Sequence, residues 1–325
     1  MSNNKQSSLS FSMIIPVYNR PDEIRDLLSS LLRQSYTDFE VIVVEDGSSV
    51  LAEKVTRDFM GKLRVKYFYK ENSGPGLTRN YGMKKASGNY FIILDSDTVL
   101  PENYMQTVVN RLQQNYVDAY GGPDAAADDF TPVQKAINYA MTSFFTTGGI
   151  RGKSRSLEKF HPRSFNMGLS KEVFHKTGGF SPMRYGEDID LSIRILKEGF
   201  KTALFQEAFV YHKRRNNFLS FFRQVKHSGE ARVALWKKYP DSLKPVHLFP
   251  SLFAIGLIFS LLMAVFKIYL PLFLYLLYFL ILFFHASSQY KNFKTGFLSA
   301  VASFVMLLGY GWGFLQAVFS KKLEN

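Results

Sequence analysis

Four apolar runs of strand length recur in the first hundred residues, at 11–17, 39–44, 65–69 and 88–94, with helix-period sequence between them. After the first run, Pro21, Asp22 and Glu23 supply a helix start with proline in the first turn and acids at the positive end of the dipole. Ile24, Leu27, Leu28, Leu31 and Leu32 follow on one face, so this helix packs on a sheet. A weaker helix carrying Leu51, Val55 and Phe59 separates the second run from the third. Strand, helix, strand, helix, strand predicts an α/β fold with a parallel sheet and right-handed crossovers. Ligands of such sheets collect at the carboxyl ends of the strands.

The residues at those ends are the candidate site. The fourth run delivers Asp95, Ser96 and Asp97, two carboxylates one residue apart that can hold a hard divalent cation and, through it, a diphosphate. A competing reading makes Asp97 or Thr98 the cap of a helix expected over about 101–114. The loop from Asn72 to Asn80 holds Gly74 and Gly76, which let backbone approach a ligand, and Arg79, whose guanidinium suits phosphate or sugar oxygens. Arg79 also occupies the third glycine position of a dinucleotide fingerprint, which argues against a nicotinamide cofactor. A second acidic cluster, Glu187, Asp188 and Asp190, stands at a helix start, where capping and the dipole already favour acids. A strand over 203–210 leads to His212 and three cations, Lys213, Arg214 and Arg215, a pattern that fits an anion or metal site. Residues 166–170 are expected to open a short helix ending at Gly178 and Gly179. Residues 125–165 show no period and are expected to form a loop over the site.

The chain has no cysteine, which excludes disulfides, thiolate zinc sites and cysteine nucleophiles. Its net charge of +13 invites a nucleic-acid partner, but +7 of it falls within residues 211–247, directly before an apolar tail. Lysine and arginine so placed face anionic headgroups on the cytoplasmic side of a membrane, and nucleic acid is not expected. The first ten residues are polar and carry no signal-peptide pattern, so the bulk of the protein is expected in the cytoplasm. Residues 218–238 predict an amphipathic helix suited to the membrane interface. Two uncharged runs follow, 248–266 and 268–284, separated only by Lys267, and a third, 296–319, contains Gly309, Gly311 and Gly313. The first two approach the ~20 residues of a bilayer span and predict a hairpin; a third full span would put Lys321 and Lys322 outside, so two or three spans remain open.

Taken in order, these motifs resemble the family 2 glycosyltransferases, inverting enzymes with a GT-A fold, over roughly residues 11–215. Pro16, Val17, Tyr18 and Asn19 are similar to the family's first-strand motif, and Glu45, Asp46, Gly47 and Ser48 to its nucleotide-holding turn. Gly74 to Asn80 resembles the loop that closes the nucleotide pocket. Asp95-Ser96-Asp97 matches the Asp-x-Asp metal motif, and Glu187-Asp188 the Glu-Asp motif whose second acid is the catalytic base. His212 stands where many GT-A enzymes place a histidine near metal and diphosphate, with Arg214 beside it.

The resemblance implies a GT-A, Rossmann-like domain over 11–217 after a polar tail at 1–10, then a basic interfacial segment at 218–247 and a membrane domain at 248–320. It implies Mg²⁺ or Mn²⁺ on Asp97, Asp95 and His212, a nucleotide-diphosphate sugar donor (foremost a UDP-sugar), and a glycan or lipid-linked acceptor at the cytoplasmic (inner) membrane, with the chain multi-pass. Glu45 departs from the family's usual aspartate, and the Gln-x-x-Arg-Trp motif of processive synthases is absent, which favours one transfer per encounter. Alternatives are a polyisoprenyl-phosphate glycosyltransferase and a membrane-tethered nucleotide-sugar binding protein without turnover.

Overall fold

The computed structural model describes residues 9–125, 130–147, 161–212 and 215–320. Strand β1 (Phe11–Val17), helix α1 (Pro21–Leu32), β2 (Phe39–Asp46), α2 (Glu53–Arg57), β3 (Val65–Lys70), α3 (Pro75–Lys85) and β4 (Tyr90–Leu94) realise the predicted alternation. Short strand β5 (Thr98–Val99), α4 (Tyr104–Gln114), β6 (Ala119–Gly121) and β7 (Asp124–Ala125) follow, then helices α5 (Pro132–Thr142) and α6 (Phe144–Thr147). The chain continues through β8 (Asn166–Ser170), α7 (Lys171–Thr177), α8 (Glu187–Lys197), β9 (Thr202–Leu204) and β10 (Val210–His212). Its last helices are α9 (Phe218–Lys238), α10 (Phe249–Val265), α11 (Leu270–Tyr290) and α12 (Phe293–Phe319).

Residues 1–127 and 156–213 form one compact unit, and 128–155 with 214–325 form the other. The first is built on a seven-stranded sheet in the order β3-β2-β1-β4-β8-β6-β9. Side-chain alternation along β1 sends Met13 and Ile15 into one apolar layer with Leu27, Leu28 and Leu31 of α1, and Ile14 into the other with Met83 of α3 and Leu191 of α8. A sheet covered on both faces is why its strands read as continuous apolar runs.

Two expectations are corrected. The sheet is mixed, not wholly parallel: residues 166–170, expected to begin a helix, are strand β8, antiparallel to both β4 and β6. A Cβ at Gly168 would overlap the Tyr120 ring, so the glycine leaves room for the ring of its cross-strand neighbour, and Ser170 caps α7 by accepting from the Val173 amide. The single strand expected over 203–210 is two. β9 pairs with β6 in the main sheet, whereas β10 joins β5 and β7 in a separate three-stranded sheet. Of the loop expected over 125–165, residues 126–129 and 148–160 lie outside the described residues, and 132–142 and 144–147 are helical.

The second unit is helical. Three of its helices are packed through glycine: Cβ atoms at Gly309 and Gly313 of α12 would collide with Val225 and the Lys226 carbonyl of α9, and one at Gly311 with the Pro250 carbonyl of α10. The amphipathic helix expected over 218–238 matches α9, and its apolar face, with Phe221 and Val225, is buried within this unit against α5 and α12. Helices α11 and α12 are long and apolar enough to cross a membrane; α10, at 17 residues, is shorter. Only 17% of the apolar window of α11 is buried, against 50% for α12. The expected hairpin joined the first two apolar runs, whereas the two helices of spanning length are the second and third.

Candidate active site

The carboxyl ends of β1, β2 and β4 meet at one edge of the sheet, and three groups of side chains are assembled there. On the first side, Asn19 adopts a left-handed backbone (φ 54°), and its Oδ1 accepts from the amides of Ser49 (2.8 Å) and Val50 (2.9 Å). Its own amide donates to Ser48 Oγ at 2.8 Å, so the loop after β1 is tied to the loop after β2. Tyr18 is left exposed beside it, whereas Val17 is buried and Pro16 half-buried.

Glu45 and Asp46 have different employment. Glu45 is fully buried and accepts from Ser48 Oγ, the Ala52 amide (2.8 Å) and Tyr67 Oη (3.0 Å), so its carboxylate faces inward and buttresses the loop. Asp46 accepts from Lys70 Nζ (2.6 Å) and from the amides of Ser73 (2.9 Å) and Gly74 (3.0 Å), which shapes the glycine loop ahead of α3. Burial pushes the Asp46 carboxyl up, but Lys70 and these donors outweigh it and hold it below the ordinary range. Gly74 takes φ 88°, a conformation open to glycine, and Pro75 starts the helix. Asn80 clamps Phe180, accepting from its amide (2.8 Å) and donating to its carbonyl (2.7 Å).

The second group is the strand-end acidic pair. Antiparallel pairing of β10 with β5 sets His212 opposite Thr98 and thus beside Asp97. Ligand atoms of Asp95, Asp97 and His212 lie within 4.8 Å of one another. His212 Nε2 is 3.0 Å from Asp97 Oδ1, and Arg20 Nη1 bonds Asp97 Oδ2. Burial disfavours the Asp97 carboxylate, yet the His212 and Arg20 contacts win and drive its pKa far down. Two carboxylates and an imidazole are donors suited to Mn²⁺ and, through the oxygens, to Mg²⁺. Ser96, between them, is buried.

Arg79 joins this group to the third. It is only 4% exposed, and it donates through Nη2 to Asp95 Oδ1 (2.7 Å) and through Nη1 to Glu187 Oε1 (2.9 Å). Asp188, next along α8, accepts from Arg163 Nε at 2.6 Å and from the Ile189 amide at 2.8 Å. Burial raises the carboxyl of Asp188, but Arg163 outweighs it and keeps it ionised; Glu187, for which burial outweighs Arg79, is pushed up. Asp190, the third acid of the cluster, is bound to Arg194 on its own helix and serves structure.

Three cations of this edge were not singled out from the sequence: Arg20, Lys70 and Arg163. Arg20 directly follows Asn19 and could have been suspected from that adjacency. Arg163 lies in sequence without a period and gave no signal. Arg214 lies outside the described residues.

The sequence model of Glycosyl transferase family 2 matches residues 12–178, about half of the chain. An uncharacterized glycosyltransferase of Rickettsia bellii is 38% identical over 104 residues, which are 32% of this chain and 15% of that protein. The chain thus spans well under half the length of that relative. Among solved structures, the mannosyltransferase PcManGT from Pyrobaculum calidifontis, in complex with GDP-Man and Mn2+, aligns with TM-score 0.65 at 17% identity, over 96% of this chain and 88% of that one. S. aureus TarS 1-349 in complex with UDP aligns with TM-score 0.52 at 18% identity, over 74% and 75% of the two chains. The fold is therefore of the GT-A kind, a mixed α/β sheet domain with C-terminal helices. The chain belongs to glycosyl transferase family 2.

Proposed function

We propose that the protein transfers a sugar from a nucleotide-diphosphate donor to an acceptor hydroxyl, by single displacement with inversion. The observation that carries this reading is the side-by-side placement of the Asp95, Asp97 and His212 cluster and the Glu187–Asp188 pair, bridged by Arg79. Departure of a nucleoside diphosphate requires its charge to be neutralised, and activation of the acceptor requires a base on the opposite face of the sugar.

Asp95, Asp97 and His212 would hold Mg²⁺ or Mn²⁺. When bound, the ion supplies positive charge against the departing diphosphate. The loop stapled by Asn19 and the Asp46-shaped glycine loop offer a preorganised wall for the nucleotide, with Tyr18 exposed to stack on a base. Arg79 fixes Asp95 and Glu187 relative to each other and so sets the spacing between donor and base. Asp188 accepts the proton of the attacking hydroxyl, and it is in the ionised state that a base needs. The complexes of the two structural neighbours, one with UDP and one with GDP-Man, support a nucleotide donor; the UDP-sugar expectation stands as our reading.

The basic charge within 211–247 and the largely exposed α10 and α11 support transfer at a membrane surface, with the acceptor a glycan or lipid-linked hydroxyl. Purified full-length protein in detergent, given a panel of UDP- and GDP-sugars with Mn²⁺, is expected to release nucleoside diphosphate with at least one of them. The anomeric centre of the product, followed by NMR, is expected to be inverted. Donor binding without any release across the panel would favour a binding protein without turnover.

A further inference from the structure

Two arginines hold carboxylates of the strand-end cluster, and they differ in freedom. Arg79 is buried, both of its Nη groups are engaged on Asp95 and Glu187, and its guanidinium lies 5.2 Å from the Phe180 ring centroid. It is expected to reach phosphate or sugar oxygens; one N–H of each Nη group is engaged on the protein, and its Nε has no hydrogen-bond partner among the described residues. Arg20 is different. Its side chain is 29% exposed, and Asp97 Oδ2 is its one side-chain hydrogen-bond partner among the described residues. Its backbone is fixed, because the Arg20 carbonyl accepts from the Ile24 amide at the start of α1 and the preceding Asn19 is stapled to Ser49 and Val50. Any rearrangement of Arg20 is therefore a swing of its side chain alone.

Both carboxylate oxygens of Asp97 are engaged, Oδ2 by Arg20 and Oδ1 by His212. A divalent cation among Asp95, Asp97 and His212 would stand next to the Arg20 guanidinium, and two cations sharing one buried carboxylate repel each other. The donor diphosphate would arrive at the same place, and its oxygens match the guanidinium fork.

We propose that Arg20 is a counter-ion of Asp97 that yields this carboxylate to the divalent cation and turns to the donor diphosphate. This rests on the transferase reading above. Arg20 thereby weakens binding of the bare cation and strengthens binding of the nucleotide once the cation is present. The pairing of opposite effects is its signature, since a merely structural role would weaken both.

The test is calorimetric titration of the detergent-purified full chain with MnCl₂ alone, and then with UDP or GDP at saturating Mn²⁺. Arg20→Gln is expected to bind Mn²⁺ about tenfold more tightly and nucleoside diphosphate about tenfold more weakly, as for loss of one charge-assisted hydrogen bond in each state. Arg20→Lys, which keeps the charge without the fork, is expected to recover part of the nucleotide affinity. Unchanged or weaker Mn²⁺ binding in Arg20→Gln, or unchanged nucleotide binding, overturns the proposal while leaving the transferase reading intact. A wild-type protein without Mn²⁺-linked nucleotide binding would take down both.

Discussion

Glu40 at the amino edge of the seven-stranded sheet and the acids Asp97 and Asp188 at its carboxyl edge are partnered differently, although Glu45 and Asp46, also at the carboxyl edge, are held mostly by amides and hydroxyls. At the amino edge, Glu40 accepts from Ser12 Oγ (2.6 Å), from the Ser87 amide (2.6 Å) and Oγ (2.8 Å), and from Lys66 Nζ (2.8 Å). Three of those donors belong to short side chains or to backbone on neighbouring segments of the sheet, so the charge is solvated by the fold itself. At the carboxyl edge, Asp97 is held by Arg20 and His212, and Asp188 by Arg163, with one backbone amide between them. Long cationic side chains can withdraw, whereas amides and serines cannot. The first arrangement stabilises; in our proposal the second leaves carboxylates ionised and exchangeable, as uptake of a cation and a proton would require.

This contrast can be broken or sharpened by substitution. The largest binding effect is expected for Asp97→Asn, where metal-linked nucleotide affinity should fall about 10- to 100-fold on loss of a charged ligand. Calorimetry with and without Mn²⁺ reads it, and an unchanged metal-linked increment would remove Asp97 from the site. Next is Arg163→Gln. Burial then acts on Asp188 without its main opposing cation, so the carboxyl rises, and the acid limb of the kcat/KM profile should move to higher pH. A limb that stays in place would show that Asp188 does not govern it.

The amino edge should give a smaller effect, confined to stability. The donors around Glu40 win over burial and bring its pKa from 4.5 down to about 2. A folded pKa below the unfolded one means stability that is present above about pH 4.5 and lost as pH falls toward 2. Glu40→Gln should therefore cost about 2 kcal/mol near pH 7 and much less at pH 3, with donor binding unchanged. Thermal melts at the two pH values check this. An equal deficit at both would mean that shape, not charge, is what Glu40 contributes.

The strand–helix alternation of residues 11–94 was legible because a sheet covered on both faces imposes apolar runs of strand length, and Phe11–Val17 appears as read. Helix Phe218–Lys238 was legible for the same reason, an apolar face repeated at helical period. Strand Asn166–Ser170 was not, because five residues containing Gly168 carry no period, and their strand state is set by β4 and β6 on either side. Acids at strand ends and at the start of α8 could be named individually. Their partners could not: Arg20 is 77 residues from Asp97, and Arg163 is 25 from Asp188, and pairing across such distances is decided by topology. Glu45 illustrates the converse, a motif position whose carboxylate turns inward to Ser48, Ala52 and Tyr67.

In the proposed mechanism Asp188 serves the chemistry while the Asp95, Asp97 and His212 cluster serves the donor. Asp188→Asn tests it most directly, with donor affinity and transfer rate measured on the same preparation. Donor affinity is expected to stay close to wild type and turnover to fall by about two to four orders of magnitude, as for loss of a general base. Turnover near that of the wild type, or a loss of donor affinity that accounts for the whole defect, would contradict it.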